Sequence, residues 1–344
     1  MSRPHRAGAA EDRWNRWVDG RLRARGWQHL VLPYVGYAGP DFVRVLARVV
    51  LAPLTSEERS AGEQWREAQQ YRRGWRNFFT AEVPDVAVTV VVGGVAHTVR
   101  TDRSGNVDAR LPNPGLPPGW CDVTLEASGT DPTVARVFVV AADEDFGLVS
   151  DIDDTVIRTR LPRPLIAAYN TFVLQEHARK PVRGMASLYD SLLRDRPGAP
   201  TVYVSTGAWN TFGTLTRFLS RNAFPPGPLL LTDWGPTNTG WFRSGQEHKR
   251  ACLESLAADF PGIRWVLVGD DGQHDPALYA AFARAHPDRV RAVAIRELTP
   301  TQQVLASGTP VERAGDLDDV PAGIPVARGG DGAALGRALA PHLP

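Results

Sequence analysis

The stretch VSDIDDTVIR, residues 149–158, places three carboxylates within four positions directly after an apolar lead-in. Segments that fill a core rarely do this, because each unpaired carboxylate in a dry site costs several kcal/mol. Asp151, Asp153 and Asp154 are therefore a solvated turn, a cation site, or a nucleophile with its acid/base partner. The residues downstream bear on that choice.

From residue 146 onward, apolar strands alternate with helices. The strands read FGLVS (146–150), TVYVS (201–205), LLLTD (229–233), RWVLVGD (264–270) and VRAVAI (290–295). Helical patterns lie at about 165–178, 184–195, 209–221, 246–259 and 276–285. Continuous apolar strands separated by helices predict a parallel sheet covered on both faces. The last stretch, GIPVARGGDGAALGRALA, reads as a short strand, a turn and a terminal helix that closes the same domain. TQQVLASGTPVERAGDLDDVPA, before it, reads as a surface loop in which Asp316, Asp318 and Asp319 form a solvated acidic patch.

Ligands bind such sheets at the carboxyl ends of the strands. The first strand ends in Ser150-Asp151-Ile152-Asp153-Asp154-Thr155, the second in Ser205-Thr206-Gly207, and the fourth in Gly269-Asp270-Asp271-Gly272-Gln273-His274-Asp275. Lys249 opens the helix before that fourth strand. One acidic cluster alone is common in surface turns. Two clusters, a hydroxyl and a lysine at one rim suit phosphoryl transfer. A hard cation such as Mg²⁺ takes carboxylate oxygens, one carboxylate attacks phosphorus, and a second, two residues on, moves the proton. The hydroxyl and lysine hold charge on the non-bridging oxygens.

The upstream half is of another kind. VAVTVVVGGVAHTV (86–99) is a valine-rich hairpin broken at Gly93-Gly94. FVRVLARVVLA (42–52), the TDRSGNV turn (101–107), CDVTLEA and TVARVFVV add further short strands, which predicts a small β-sandwich. A helix is expected over about 56–79, where Thr55 and Glu58 form a capping box. His97, alone in a strand, reads as structural. The domains expected are a basic leader (1–27), a β-rich domain with an inserted helix (28–142) and an α/β domain (143–344). The leader carries seven arginines against three acids, with Trp14, Trp17 and Trp27 interleaved. It either lies on an anionic membrane surface or forms a short helix docked on its own domain.

Composition limits the partners. Apolar residues at 43% and charged residues at 22% are those of a folded soluble chain, and a net charge of +1 leaves no basic footprint for nucleic acid. Two cysteines, Cys121 and Cys252, build neither a disulfide framework nor a zinc site. No stretch approaches the roughly 20 apolar residues that span a bilayer, and no secretory h-region opens the chain. The expected location is the cytoplasm, with peripheral membrane contact.

DIDDT resembles the DxDxT signature of the haloacid dehalogenase-like (HAD) superfamily, and Ser205, Lys249 and GDDGQHD follow in the order of its other motifs. More closely, VSDIDDTV, VYVSTGAWNTFGTLTRFLSRNAFPPGPLLL, HKRACLESLAADFPGIRWVLVGDDGQHDPALY and VRAVAIREL resemble the catalytic domain of App1-type phosphatidate phosphatases, over roughly residues 146–298. The resemblance implies a HAD-like (Rossmannoid) parallel sheet with helices on both faces and little or no cap. It implies Asp151 as nucleophile and Mg²⁺ ligand, and Asp153 as general acid/base with its carbonyl on the metal. Thr155 would support the loop, Ser205, Thr206, Gly207 and Lys249 would bind the phosphoryl group, and Asp270 and Asp275 would complete the metal site. Asp154 has no family role and reads as an exposed or loop-stabilising acid. His274 either orients Asp275 or touches the substrate.

Two departures stand out. Relatives usually carry Ser-Asn-Ser-Pro-Trp where this chain has Ser205-Thr206-Gly207-Ala208-Trp209, which bears on substrate preference rather than chemistry. Asp271 replaces the usual serine, and either strengthens metal binding or points to solvent. The intervals between motifs hold no large cap, and such an open site suits a phosphate on a large body. LPRPLIAAYNTFV (161–173) either rests on lipid or packs on the sheet, and Trp234, Trp241 and Phe242 either line the entrance or only pack it. The substrate expected is phosphatidate or a related lipid phosphate. The alternatives are a soluble or nucleic-acid terminal phosphate, and a non-catalytic interaction protein on a HAD scaffold.

Overall fold

The computed structural model describes residues 20–22, 24–53, 81–158, 180–232, 245–272, 274–307 and 317–342. Most of the basic leader, the expected helix at 56–79, the apolar stretch 161–173 with the helix expected at 165–178, the loop bearing Trp234, Trp241 and Phe242, and Asp316 lie outside them. Two compact units are present, one ending at Ala141 and one beginning at Ala142.

The first unit holds β1 (Trp27–Pro33), β2 (Gly36–Ala38), β3 (Phe42–Pro53), β4 (Ala81–Glu82), β5 (Ala87–Val92), β6 (Val95–Arg100), β7 (Asn106–Pro112), β8 (Gly119–Ala127) and β9 (Thr133–Val139). They form one hydrogen-bonded sheet in the order β1-β3-β2-β9-β8-β5-β6, with β4 and β7 also paired to β3. Pairing is antiparallel except between β2 and β9. The β5–β6 hairpin turns on Gly93 and Gly94, with φ of 52° and 83°. Two positive-φ residues make the tight turn whose twist matches the strands. Alternate residues of β3, β5, β8 and β9, among them Val45, Val49, Val90, Leu125 and Val137, meet in a single core. The period of two along these strands is the physical source of that core.

The second unit is mixed α/β. Its strands are β10 (Phe146–Asp151), β11 (Thr201–Ala208), β12 (Leu229–Thr232), β13 (Arg264–Asp270), β14 (Val290–Arg296) and β15 (Val326–Gly329). All are parallel, in the order β12-β11-β10-β13-β14-β15. The helices among the described residues are α1 (Met185–Leu193), α2 (Phe212–Arg221), α3 (Gly245–Asp259), α4 (Asp275–Ala285), α5 (Pro300–Ser307) and α6 (Gly332–Leu339). On one face Leu148, Tyr203, Val266, Val268 and Ala294 pack with Met185, Leu188, Leu215, Phe218 and Leu335. The alternate residues Val149, Val202, Leu267 and Val293 are buried as well, which is why these strands read as unbroken apolar runs rather than as alternation. At about 1.5–3 kcal/mol per buried Val or Leu, this core sustains a cluster of buried charges at its rim.

α5 corrects the loop expected from residue 301. Pro300 occupies the first helical position, the Thr299 hydroxyl accepts from the Gln302 N–H at 3.4 Å, and the Gln302 side-chain oxygen accepts from the Thr299 N–H at 3.1 Å. This reciprocal cap satisfies two orphan amides and starts a helix. The acidic patch also resolves further: Asp319 pairs with Arg284, while Asp318 is exposed.

The chain leaves β10 towards β11 and β12, then crosses back to β13, β14 and β15. The strand order therefore reverses beside β10, and a crevice opens at the carboxyl ends of β10, β11 and β13.

Candidate active site

Asp151 is the last residue of β10, Asp270 is the last of β13, and Asp275 opens α4. Lys249, on α3, brings two of them together. Its Nζ lies 2.7 Å from Asp151 Oδ1 and 2.6 Å from Asp275 Oδ1. Asp270 Oδ1 accepts the Gly272 N–H at 2.7 Å. All four residues are 5% exposed or less. The approach of α4 depends on Gly269, where a Cβ would stand 2.6 Å from Asp275 Oδ2 and 2.9 Å from the Tyr279 ring.

Beyond Asp151 the chain curls tightly. The Ile152 carbonyl accepts from Val156 and Ile157 at 2.9 and 3.0 Å, and the Asp154 N–H donates to the Ile157 carbonyl at 2.8 Å. Asp154 sits at φ 58°, the left-handed region that Asp tolerates better than most residues. Across the crevice Ser205 Oγ donates to Asp153 Oδ2 at 3.2 Å and accepts the Gly207 N–H at 3.0 Å. The Thr206 carbonyl is fixed by the Thr232 hydroxyl at 2.9 Å. Thr155 is fully buried and its hydroxyl has no hydrogen-bond partner.

Two tyrosines brace the strand ends. Ser150 Oγ donates to the Asp151 carbonyl at 2.6 Å, so its single proton is committed and the Tyr189 hydroxyl, also at 2.6 Å, must donate to it. The Tyr279 hydroxyl donates to the Val268 carbonyl at 3.1 Å.

Charge in this cluster does not balance: one ammonium faces three buried carboxylates. Burial pushes Asp151 up to about 8, with Asp275 and Asp153 adding to the rise and Lys249 opposing it. Asp270 is raised well above the usual carboxylate range by burial and by Asp275 and Asp151. Burial alone would lower Lys249, but Asp151 and Asp275 raise it above its ordinary value, so it is charged throughout. Meanwhile Asp151 Oδ2, Asp270 Oδ2 and Asp275 Oδ2 are buried without a hydrogen-bond partner. The three residues can offer oxygens within 4.8 Å of one another. Orphaned carboxylate oxygens and uncompensated negative charge are what a hard divalent cation takes up.

This has a pH consequence. A carboxylate that titrates near 4 when unfolded and near 8 when folded holds an extra proton in the folded state between those values. Without cation, stability therefore falls as pH rises through that window. Cation binding must displace the protons that burial holds on Asp151 and Asp270, so the affinity for a divalent cation is expected to climb with pH, through about 8 for Asp151. Calorimetric titrations at a series of pH values check this.

The geometry thus brings together Asp151, Asp270, Asp275 and Lys249, and separately pairs Asp153 with Ser205. Asp154 is not exposed; it is 5% accessible and its backbone shapes the turn. Asp271 neither joins the carboxylate cluster nor points to solvent. Its Oδ1 accepts the Leu298 N–H at 2.8 Å and its Oδ2 accepts from Gln303 at 3.3 Å, tying the β13 loop to the segment after β14. His274 is exposed at the N-cap of α4. Tyr189 lies outside every motif read in the sequence, while Tyr279 and Arg296 stand inside GDDGQHDPALY and VRAVAIREL without any role having been read for them; all three brace the backbone.

Residues 146–297 match the family model described as the catalytic domain of the phosphatidate phosphatase APP1. Among curated proteins, the chain is 27% identical over 201 residues to the phosphatidate phosphatase APP1 of Saccharomyces cerevisiae, covering 57% of this chain and 34% of that protein. It is 24% identical over 152 residues to an uncharacterized protein of Schizosaccharomyces pombe, covering 44% of this chain and 25% of the other. The match thus spans about a third or less of either relative. Among solved structures, a carbohydrate acetylesterase from Xanthomonas citri aligns over 92% of this chain and 75% of its own, at 12% identity and a TM-score of 0.29, a value from which no shared fold follows.

Proposed function

We propose, from the premise that residues 146–297 are an App1-type domain, that this chain is a Mg²⁺-dependent phosphatase of HAD-like fold that acts on phosphatidate or a related lipid phosphate. The observation that carries the reading is the buried cluster of Asp151, Asp270 and Asp275, two of them held by Lys249, with the Asp153–Ser205 pair on the next turn and strand.

In the proposed reaction Asp151 attacks phosphorus as the bond to the leaving oxygen breaks, and Asp153 gives that oxygen its proton. Asp153, now ionised, takes a proton from water, which attacks phosphorus and breaks the bond to Asp151. Before substrate binds, Ser205 orients Asp153 through its 3.2 Å bond; with substrate in place its single proton turns to a non-bridging oxygen, which the backbone beside it also binds. Lys249 holds Asp151 in place and offsets the charge of the phosphate. Asp151, Asp270 and Asp275, with the Asp153 carbonyl, would hold Mg²⁺, which when bound supplies Lewis-acid compensation of phosphate charge.

The lipid assignment is supported by the match to the phosphatidate phosphatase family and to its budding-yeast member. Among the described residues no helix is long and apolar enough to cross a membrane. Phosphate release from phosphatidate vesicles, soluble sugar phosphates and 5′-phosphorylated oligonucleotides, measured in parallel with Mg²⁺, tests the reading. The expected order has vesicles first. A vesicle rate no greater than that on soluble esters would remove the lipid assignment and leave the phosphatase chemistry standing.

A further inference from the structure

Arg296 ends β14 directly beside Asp270, its register partner on β13, and is 2% exposed. A guanidinium in such a place must be hydrogen-bonded to offset its desolvation. Its Nη1 donates to the Asp154 carbonyl, its Nη2 to Gln302 Oε1 at 3.1 Å, and its Nε to the Gly330 carbonyl at 3.3 Å. Its own carbonyl accepts the Asp271 N–H at 3.0 Å. One side chain thus joins the turn after β10, the start of α5 and the loop after β15.

The contact with Asp154 has a specific effect. The Asp154 N–H is held by the Ile157 carbonyl. In a planar trans peptide C=O and N–H point in opposite directions, so that bond aims the Asp153 carbonyl away from Ile157. The Asp154 carbonyl is held by Arg296, which fixes the next peptide. A left-handed, non-glycine residue persists where its surroundings over-determine it, and here both flanking peptides are clamped. The positive charge also lies close enough to Asp154 and Asp270 to interact with both.

We propose that Arg296 is a positioning residue: by gripping the Asp154 carbonyl it holds the Asp153–Asp154 turn in register with Asp151, Asp270 and Asp275, so that all serve one cation and one phosphoryl group. This rests on the phosphatase reading for the reaction it assists, but its first readout is cation binding. A purely structural role would lower melting temperature and leave the affinity of the folded protein for Mg²⁺ unchanged.

The test compares the full chain with Arg296→Met and Arg296→Lys by calorimetric titration of Mg²⁺, with circular dichroism to establish folding. The Met variant is expected to bind Mg²⁺ about tenfold more weakly or worse, the range usual when a partner of a ligand-bearing group is removed. The Lys variant, which keeps one donor group but loses the three-way fork, should fall between. On p-nitrophenyl phosphate kcat should drop in the same order while KM stays near the wild-type value. A folded Met variant that binds Mg²⁺ as tightly as wild type overturns the proposal. If the Met variant does not fold, the Lys variant decides by the same criterion, and a wild-type chain that binds no Mg²⁺ overturns it too. Wild-type protein that binds Mg²⁺ but cleaves no phosphate ester would sink the phosphatase reading alone, and the affinity comparison would still judge Arg296.

Discussion

Replacing Asp151 with asparagine is expected to abolish phosphate release, by on the order of 10⁴-fold or more, without loss of stability. The two halves of this result have separate causes. An amide is not a nucleophile towards phosphorus, so the covalent route closes. The fold tolerates the change because burial already favours the protonated acid up to about pH 8, and an amide is a close neutral match to it. Lys249 keeps Asp275 at 2.6 Å, so its charge is not left unpaired. Turnover and melting temperature, measured on the same preparation at about pH 7, within the window where the acid stays protonated, check both halves. Undiminished turnover would remove Asp151 as nucleophile. A large fall in melting temperature would mean that the carboxylate acts in the fold as a charged partner of Lys249.

Lys249→Met is expected to do the reverse, damaging stability as well as activity. Lys249 is the one cation in direct contact with Asp151 and Asp275 among the described residues. Removing one partner of a buried ion pair costs about 3–5 kcal/mol, because the remaining charge is left without compensation. The loss should grow as pH rises, since Asp151 and Asp270, whose carboxyls burial raises, must then either shed protons in a dry site or hold them at increasing cost. Mg²⁺ should recover part of the stability, since a divalent cation supplies the missing charge. Activity should fall by about 10²–10³-fold, the usual effect of losing one group that stabilises transition-state charge. Urea melts with EDTA and with Mg²⁺, at two pH values, give the result. Equal stability of variant and wild type in EDTA would contradict a charged, buried Lys249.

Much of the second unit was legible because buried parallel strands are continuous apolar runs, and RWVLVGD or VRAVAI read the same whether seen as text or as β13 and β14. Strand ends were legible where polar groups close such runs: Asp151 and Asp270 are each the last residue of a strand, whereas β11 runs on past Ser205, the expected end, to Ala208. Arg296 likewise ends β14, but no role was read for it there. Its use depends on a carbonyl 142 residues away in sequence. Of the two readings of Asp154, exposed or loop-stabilising, the second holds: it is buried and sits at φ 58° in the turn after β10. Asp271 gains its role from a loop that follows the next strand. α5 escaped notice because it is only 8 residues long, too short for a periodic apolar stripe. Its Thr299–Gln302 cap was nonetheless present in the text.

Phosphate on Asp151 itself is the decisive observable. The full chain, turning over p-nitrophenyl phosphate with Mg²⁺, would be quenched in acid, digested, and the peptide carrying residues 149–158 examined by mass spectrometry. One added phosphoryl group is expected on Asp151, removed by hydroxylamine and lacking in Asp151→Asn and in EDTA. Rapid turnover with no phosphorylated Asp151, or with the phosphoryl group on another residue, would contradict the covalent mechanism.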